Sequence, residues 1–78
     1  MALVKQLDEI NMERNSVHGE VEATFTVFRG DSGKRYLQID TYGSRDRAIP
    51  GKKSQSIQFD DDSVRQLKAI LDREFRNV

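Results

Sequence analysis

An alternating stretch at residues 36–42, YLQIDTY, narrows the folds that this 78-residue chain can adopt. Successive side chains of a β-strand point to opposite faces, so a two-residue period predicts a strand with two chemically different faces. One face carries Leu37, Ile39 and Thr41, and the other carries Tyr36, Gln38, Asp40 and Tyr42. The first face suits a hydrophobic core, and the second is available for binding.

Two neighbouring segments alternate in the same way. Residues 20–29, EVEATFTVFR, are rich in valine, threonine and phenylalanine, which favour extended backbone. Residues 54–59, SQSIQF, form the second such segment. The sequence GDSG at 30–33 offers glycines for a tight turn, so we expect a hairpin with residues 34–42. These patterns predict an antiparallel sheet of three to four strands.

The C-terminal segment has the period of a helix. Asp60, Asp61 and Asp62 supply an N-cap and an acidic first turn, which complement the helix dipole. An apolar stripe follows at helical spacing, formed by Val64, Leu67, Ile70, Leu71 and Phe75. We expect this stripe to cover the apolar sheet face, whose members are Val21, Phe25, Val27, Leu37, Ile39, Ile57 and Phe59. The prediction is an α+β domain with the C-terminal helix packed on one face of the sheet.

The N-terminus allows two interpretations. Aliphatic residues at positions 3, 4, 7 and 10 recur at helical spacing, which favours a short amphipathic helix over residues 3–13. The segment has no clear N-cap, and the alternative is an irregular arm that becomes ordered on a partner. The chain therefore divides into residues 1–16, an arm or short helix, and residues 17–78, a single domain of sheet and helix.

Length and composition restrict the class of protein. A chain of 78 residues with 36% hydrophobic residues builds only a marginal core, so a homodimer that buries further apolar surface is expected. The absence of cysteine excludes disulfides and thiolate metal sites. No apolar run approaches the roughly 20 residues that span a bilayer, and charged residues interrupt the early aliphatics where a signal peptide has its core. We expect an intracellular, cytoplasmic protein.

The charges are unevenly distributed along the chain. Thirteen basic and 13 acidic residues give a net charge of zero, which argues against a strongly basic nucleic-acid binder. Residues 29–53, however, hold seven basic and three acidic residues, whereas residues 1–28 hold two basic and five acidic residues. The middle of the chain is thus a basic island in a neutral protein.

No residue pattern typical of an enzyme is present. His18 is the only histidine, and without cysteine there is no Cys–His pair. Three consecutive carboxylates at a helix start, as at Asp60 to Asp62, are nearly always a cap, since magnesium ligands converge from several elements. The sequence GDSGK at 30–34 lacks the length and the following helix of a phosphate-binding loop. We expect a non-enzymatic protein with no metal and no cofactor.

The second face of the alternating strand carries the remaining functional signal. Phe28, Tyr36 and Tyr42 offer flat rings on which bases can stack, and neighbouring basic residues can neutralise phosphates. The loop of residues 43–53 adds Arg45, Arg47, Lys52 and Lys53 beside this face. The alternative is that the tyrosines pack under the loop or in a dimer interface. The carboxylates that share this face and would repel phosphate are Glu20, Glu22 and Asp40.

Residues 37–71, LQIDTYGSRDRAIPGKKSQSIQFDDDSVRQLKAIL, resemble the C-terminal half of positive-cofactor-four type transcriptional coactivators. In that family an aliphatic-Asp-aliphatic strand ending in an aromatic residue leads into a loop with Pro-Gly-Lys. A short strand, an acidic or polar cap and a final leucine-rich helix follow. Here the first strand is residues 37–42, the loop 49–53, the next strand 56–59 and the helix 63–71.

The resemblance implies a small dimer whose curved β-surface binds single-stranded or melted DNA without marked sequence preference. It places eight residues near the nucleic acid, namely Lys34, Arg35, Tyr36, Tyr42, Arg45, Arg47, Lys52 and Lys53. The lysine-rich leader of the family is replaced here by an acidic segment. The chain is also similar to small bacterial and phage proteins, some of which carry the label methionyl-tRNA formyltransferase. We do not expect that activity in a chain of this length without a folate-binding domain.

Two hypotheses from different classes follow. The first is a non-enzymatic homodimeric module that binds single-stranded or melted DNA on the outer sheet face and basic loop 43–53, in transcription or other DNA transactions. The second is a small protein-interaction or inhibitor module, for example related to phage or defence, in which the same loop and the N-terminal arm bind a protein partner. Salt separates them, because phosphate binding weakens steeply with ionic strength.

Overall fold

The computed structural model describes residues 1–43 and 53–78, which form one sheet and one helix. The elements are β1 (Ala2–Val4), β2 (Ala23–Arg29), β3 (Arg35–Tyr42), β4 (Lys53–Phe59) and α1 (Asp61–Glu74). The predicted α+β architecture with a C-terminal helix is confirmed.

The four strands lie in the order β1-β4-β3-β2. β2 and β3 form the predicted antiparallel hairpin, and β3 pairs antiparallel with β4. In the turn, the Gly30 amide donates to the Lys34 carbonyl at 2.9 Å, and Gly33 adopts a φ of 81°, a conformation that glycine reaches without a steric penalty. β1 pairs in parallel with β4, so the sheet is mixed.

The N-terminal segment is a strand at its start, and the helical interpretation of residues 3–13 is wrong. Ala2, Leu3 and Val4 pair with the end of β4, so the aliphatic residues there extend the sheet. After β1 the chain is irregular up to residue 22. The first residues of this irregular segment form an ion pair and a hydrogen bond with the start of the helical segment. The Leu7 amide donates to Gln66 Oε1 at 2.9 Å, and Lys5 forms an ion pair with Asp60. A short helix is only marginally stable on its own, whereas the three residues of β1 gain tertiary pairing with the open edge of β4.

The strand register brings the predicted apolar residues onto one face of the sheet, called here the apolar face. Apolar side chains of neighbouring strands form two rows across β2, β3 and β4. One row contains Phe25, Ile39 and Ile57, and the other contains Val27, Leu37 and Phe59. The alternation therefore predicted the strand residues of this face correctly, whereas Val21 precedes β2 and lies outside the sheet.

α1 starts at a capping box directly after β4. The Ser63 amide donates to Asp60 Oδ1 at 3.0 Å, and the Asp60 amide donates to Ser63 Oγ at 2.9 Å. The hydrogen bond from Lys5 and the backbone hydrogen bond from Ser63 lower the pKa of Asp60 to about 2. Asp61 and Asp62 occupy the first turn, and Arg73 lies in the last, so the side-chain charges complement the helix dipole.

The helix covers only part of the apolar face. α1 packs against β3 and β4, and Phe59 beneath its start is only 6% exposed. On β2, at the sheet edge, Val27 remains 61% exposed, so the expectation that the helical stripe covers the whole face is wrong. The reason is geometric, because a helix that begins at the end of β4 starts over the β3–β4 part of the sheet.

Across the described ranges, no helix has the length and the apolar character needed to cross a membrane.

Candidate nucleic-acid interface

The face of the sheet opposite the apolar face carries the candidate site and is called here the polar face. Alternation and register bring side chains from three strands together on it. They are Thr24, Thr26 and Phe28 from β2, Tyr36, Gln38, Asp40 and Tyr42 from β3, and Ser56 and Gln58 from β4.

An aromatic pair lies at the hairpin end of the polar face. Phe28 and Tyr36 are direct partners across β2 and β3, and their rings stack with centroids 5.6 Å apart and planes inclined by 28°. Gly30 leaves room for the Tyr36 ring, because a Cβ atom at this position would lie only 2.9 Å from Tyr36 Cε2. Both rings are partly accessible to solvent, so they form a flat, pre-arranged aromatic surface.

The centre of the polar face is a hydrogen-bonded network around Asp40, which is only 3% exposed. Its carboxylate accepts hydrogen bonds from the Ser56 hydroxyl and from Gln38 Nε2, the latter at 3.0 and 3.1 Å to its two oxygens. Lys53 Nζ lies 3.3 Å from Asp40 Oδ2. The hydrogen bonds from Ser56 and Gln38, with the Lys53 charge, lower the pKa of Asp40 below its ordinary value.

This network changes the expected effect of Asp40 on phosphate. From the sequence alone, the Asp40 carboxylate is expected to repel phosphate on the open face. In the structure its charge is compensated by Lys53 and its oxygens are occupied by donors, so its repulsion of an approaching anion is reduced. Gln58 Nε2 continues the network by donating to Gln38 Oε1 at 2.8 Å. The result is a rigid polar surface between the aromatic pair and Tyr42.

Tyr42 lies at the far end of the polar face from the aromatic pair. Its hydroxyl is 3.0 Å from Thr24 Oγ1, which ties it to β2, and a bulge between Thr41 and Tyr42 precedes its pairing with Lys53. Tyr42 lies six positions after Tyr36 along β3, which corresponds to roughly 20 Å of strand. The two tyrosines therefore mark the ends of a surface that is long enough for several nucleotides.

The predicted cations occupy different places. Lys53 lies on the polar face and Lys34 is exposed at the hairpin turn. Arg35, by contrast, has the same parity along β3 as Leu37, and its Nη2 atom forms an exposed ion pair with Asp61 Oδ1 at 3.4 Å. The structure thus brings Tyr36, Tyr42 and Lys53 together on one face and directs Arg35 towards the helix.

Three predicted site residues lie outside the described residues. They belong to the basic loop of residues 43–53, of which the structure describes only the first and last residues. The three are Arg45, Arg47 and Lys52.

The hydrogen-bonded network is the part of the site that the sequence analysis missed. Gln38 was assigned to the second face of its strand without a role, and Ser56 and Gln58 alternate with the apolar Ile57 and Phe59 in the next strand. The signal was available, since polar residues at alternate positions of both β3 and β4 face each other once the two strands pair. In the described ranges, no group of three or more histidine, aspartate or glutamate side chains is arranged to hold a metal ion.

Comparisons of this chain with protein families, with curated proteins and with solved structures found no match.

Proposed function

We propose that this protein is a non-enzymatic module that binds single-stranded or melted DNA on the polar face, acting as a homodimer in transcription or other DNA transactions within the cytoplasm. The observation that carries the proposal is the stacked pair of Phe28 and Tyr36 at one end of a face that ends at Tyr42. Stacking on flat side chains tolerates any base, because every base has a π-face.

The charge around this surface supports the same ligand. Lys34 is exposed near the aromatic pair, and the loop between β3 and β4 adds further basic residues in the sequence, whereas Lys53 is paired with Asp40. A phosphate backbone is attracted by such charges without sequence preference. The neutral charge of the whole chain limits this attraction to the basic island and predicts moderate affinity.

The polar network gives the proposed surface its rigidity. Gln38, Ser56 and Lys53 are held by Asp40, so they lose little freedom when a ligand binds. A pre-organised surface binds more tightly than a flexible one with the same groups, because the cost of ordering has already been met.

The test is fluorescence anisotropy of a labelled thymine-rich oligonucleotide titrated with the protein at two salt concentrations. We expect binding that weakens clearly at the higher salt concentration. Replacing Tyr36 with leucine removes the aromatic surface and should weaken binding by roughly 1–3 kcal/mol, or about 5- to 150-fold. The matched control is Tyr36→Phe, which keeps the ring and should bind like the wild type.

Two results would contradict the proposal. One is the absence of binding at low salt. The other is equal affinity of the leucine and phenylalanine variants, which would place any binding elsewhere on the protein.

A second candidate function is favoured by the irregular N-terminal segment. Ile10, Met12 and Val17 are exposed there, and exposed hydrophobic residues in a long irregular segment suit a protein partner. In this alternative the segment and the basic loop hold an acidic protein. Binding through the apolar residues would persist at the salt concentration that releases the oligonucleotide.

A further inference from the structure

The sheet and the helix together leave a hydrophobic surface exposed. On the sheet it comprises Phe25, Val27 and Ile57, and on the helix and its C-cap it comprises Leu71 and Phe75. These five residues are called here the open apolar surface. Phe25 is 75% exposed and Phe75 is 57% exposed, whereas Phe59 is the one hydrophobic residue that is buried in the described ranges. An exposed apolar patch of this kind often marks a protein–protein contact.

The chain is less compact than a single well-packed domain of its length, and the irregular segment after β1 contributes to this. The radius of gyration is 14.9 Å, whereas a compact domain of the same length has a radius of gyration of about 11.5 Å. The hydrogen bonds and ion pairs that join the helical segment to the rest of the described chain come from Asp60, Asp61 and Gln66, at its start. In its second half, Leu71 is 45% exposed.

The open apolar surface is large enough for a specific interface. A phenylalanine side chain buries roughly 150–250 Å², so the exposed fractions of Phe25 and Phe75 correspond to roughly 200–330 Å² per copy. Two copies together contribute roughly twice that from their rings alone, and Val27, Ile57 and Leu71 bring the total towards the roughly 1,000 Å² that a specific interface needs.

The N-terminal segment of the same chain does not cover this surface. Residues 5–22 connect one edge of the sheet to the other, and their hydrophobic side chains at Ile10, Met12 and Val17 are themselves exposed. Within residues 1–43 and 53–78, no other segment covers the open apolar surface.

We propose that a second copy of this chain packs against the open apolar surface. Both components of the interface, an apolar sheet face and an apolar helical end, are present on each copy, so a two-fold axis can bring the helical end of one copy onto the sheet of the other. The net charge of zero lets two copies approach without overall repulsion. This inference rests on the homodimer in the proposed function and is independent of nucleic-acid binding.

The test is sedimentation equilibrium over a wide range of protein concentration, in the absence of nucleic acid. We expect the wild type to have twice the chain mass of 9.0 kDa. Val27→Asp and Phe75→Asp each place a charge in the interface and should raise the dissociation constant by roughly tenfold or more. The matched control is Val17→Asp, because Val17 is fully exposed in the irregular segment, and this variant should dimerise like the wild type.

Phe75→Asp still tests the interface if Val27→Asp fails to fold. Phe75 is the C-cap of α1 and is largely exposed, so its replacement should leave the circular dichroism spectrum unchanged. A wild type that remains monomeric at every concentration would overturn the proposal, and so would a Phe75→Asp variant that dimerises like the wild type. A dimer that does not bind the oligonucleotide would instead overturn only the DNA-binding proposal.

Discussion

Replacement of Phe59 by alanine tests where the stability of this small fold resides. Phe59 lies at the junction of β4 and α1, opposite Leu37 in the sheet and in a cleft that Val64 also lines. Since its side chain is almost fully buried, its removal should cost about 3–5 kcal/mol, as for other core phenylalanines. A domain of this length has a total stability of about 4–12 kcal/mol. We therefore expect the variant to lose a large part of its stability.

Urea unfolding followed by circular dichroism measures the loss, and Phe75→Ala is the matched control. Phe75→Ala removes the same side chain from a largely exposed position. At low protein concentration this variant should lose about 1 kcal/mol or less of its free energy of unfolding. If the second copy covers Phe75, that cost should grow with protein concentration, because dimerisation stabilises only the folded state. Equal losses for the two variants at low concentration would refute the assignment of the core to the β4–α1 junction.

Three further predictions concern the aromatic pair, the helix cap and acid stability. Gly30→Ala should weaken oligonucleotide binding in the anisotropy assay, because the new Cβ atom displaces the Tyr36 ring, and unchanged affinity would show that the ring position is unimportant. Ser63→Ala should lower the free energy of unfolding in urea by about 0.5–2 kcal/mol, because it removes one half of a buried capping box. The pKa of Asp60 is lower in the folded state than its ordinary 3.8, so its stabilising contribution is present above about pH 4 and is lost as the pH falls towards about 2. Thermal melting of the wild type between these pH values should show a fall in the melting temperature. The Asp60→Asn variant keeps a capping acceptor but has no charge to pair with Lys5, so its melting temperature should fall less over the same pH range.

The parts of the fold that were predictable depend on local patterns. The hairpin of β2 and β3 follows from two alternating segments joined by a glycine-containing turn, and the capping box of α1 lies within four consecutive residues. The pairing of Ala2 with Ile57 joins distant parts of the chain. A strand of three residues is too short for its period to distinguish it from a helix, so only the tertiary structure decides between them. The incomplete cover of Val27 was likewise unpredictable, because it depends on the path of the helix over the sheet.

The candidate site was predictable to the extent that alternation determines it. The positions of Phe28 and Tyr36 on one face follow from the two-residue period, and the register makes them partners. The same period excludes Arg35 from that face, whereas the family resemblance placed it near the nucleic acid. The compensation of Asp40 by Lys53 was beyond the sequence, because it depends on the register of β4 against β3 beyond a bulge.

The strand register links the two proposed surfaces. A shift of β3 by one residue against both of its neighbours would move each of its side chains to the opposite face, because the side-chain period is two. Asp40 would then lie on the face that the helix covers, away from Ser56 and Lys53, and Leu37 would lie among the polar side chains. The Asp40 network and the Phe59 core therefore select the same register from opposite faces of the sheet. The stacked rings on one face and the open apolar surface proposed for dimerisation on the other thus both depend on a single alignment of β3 with its neighbours.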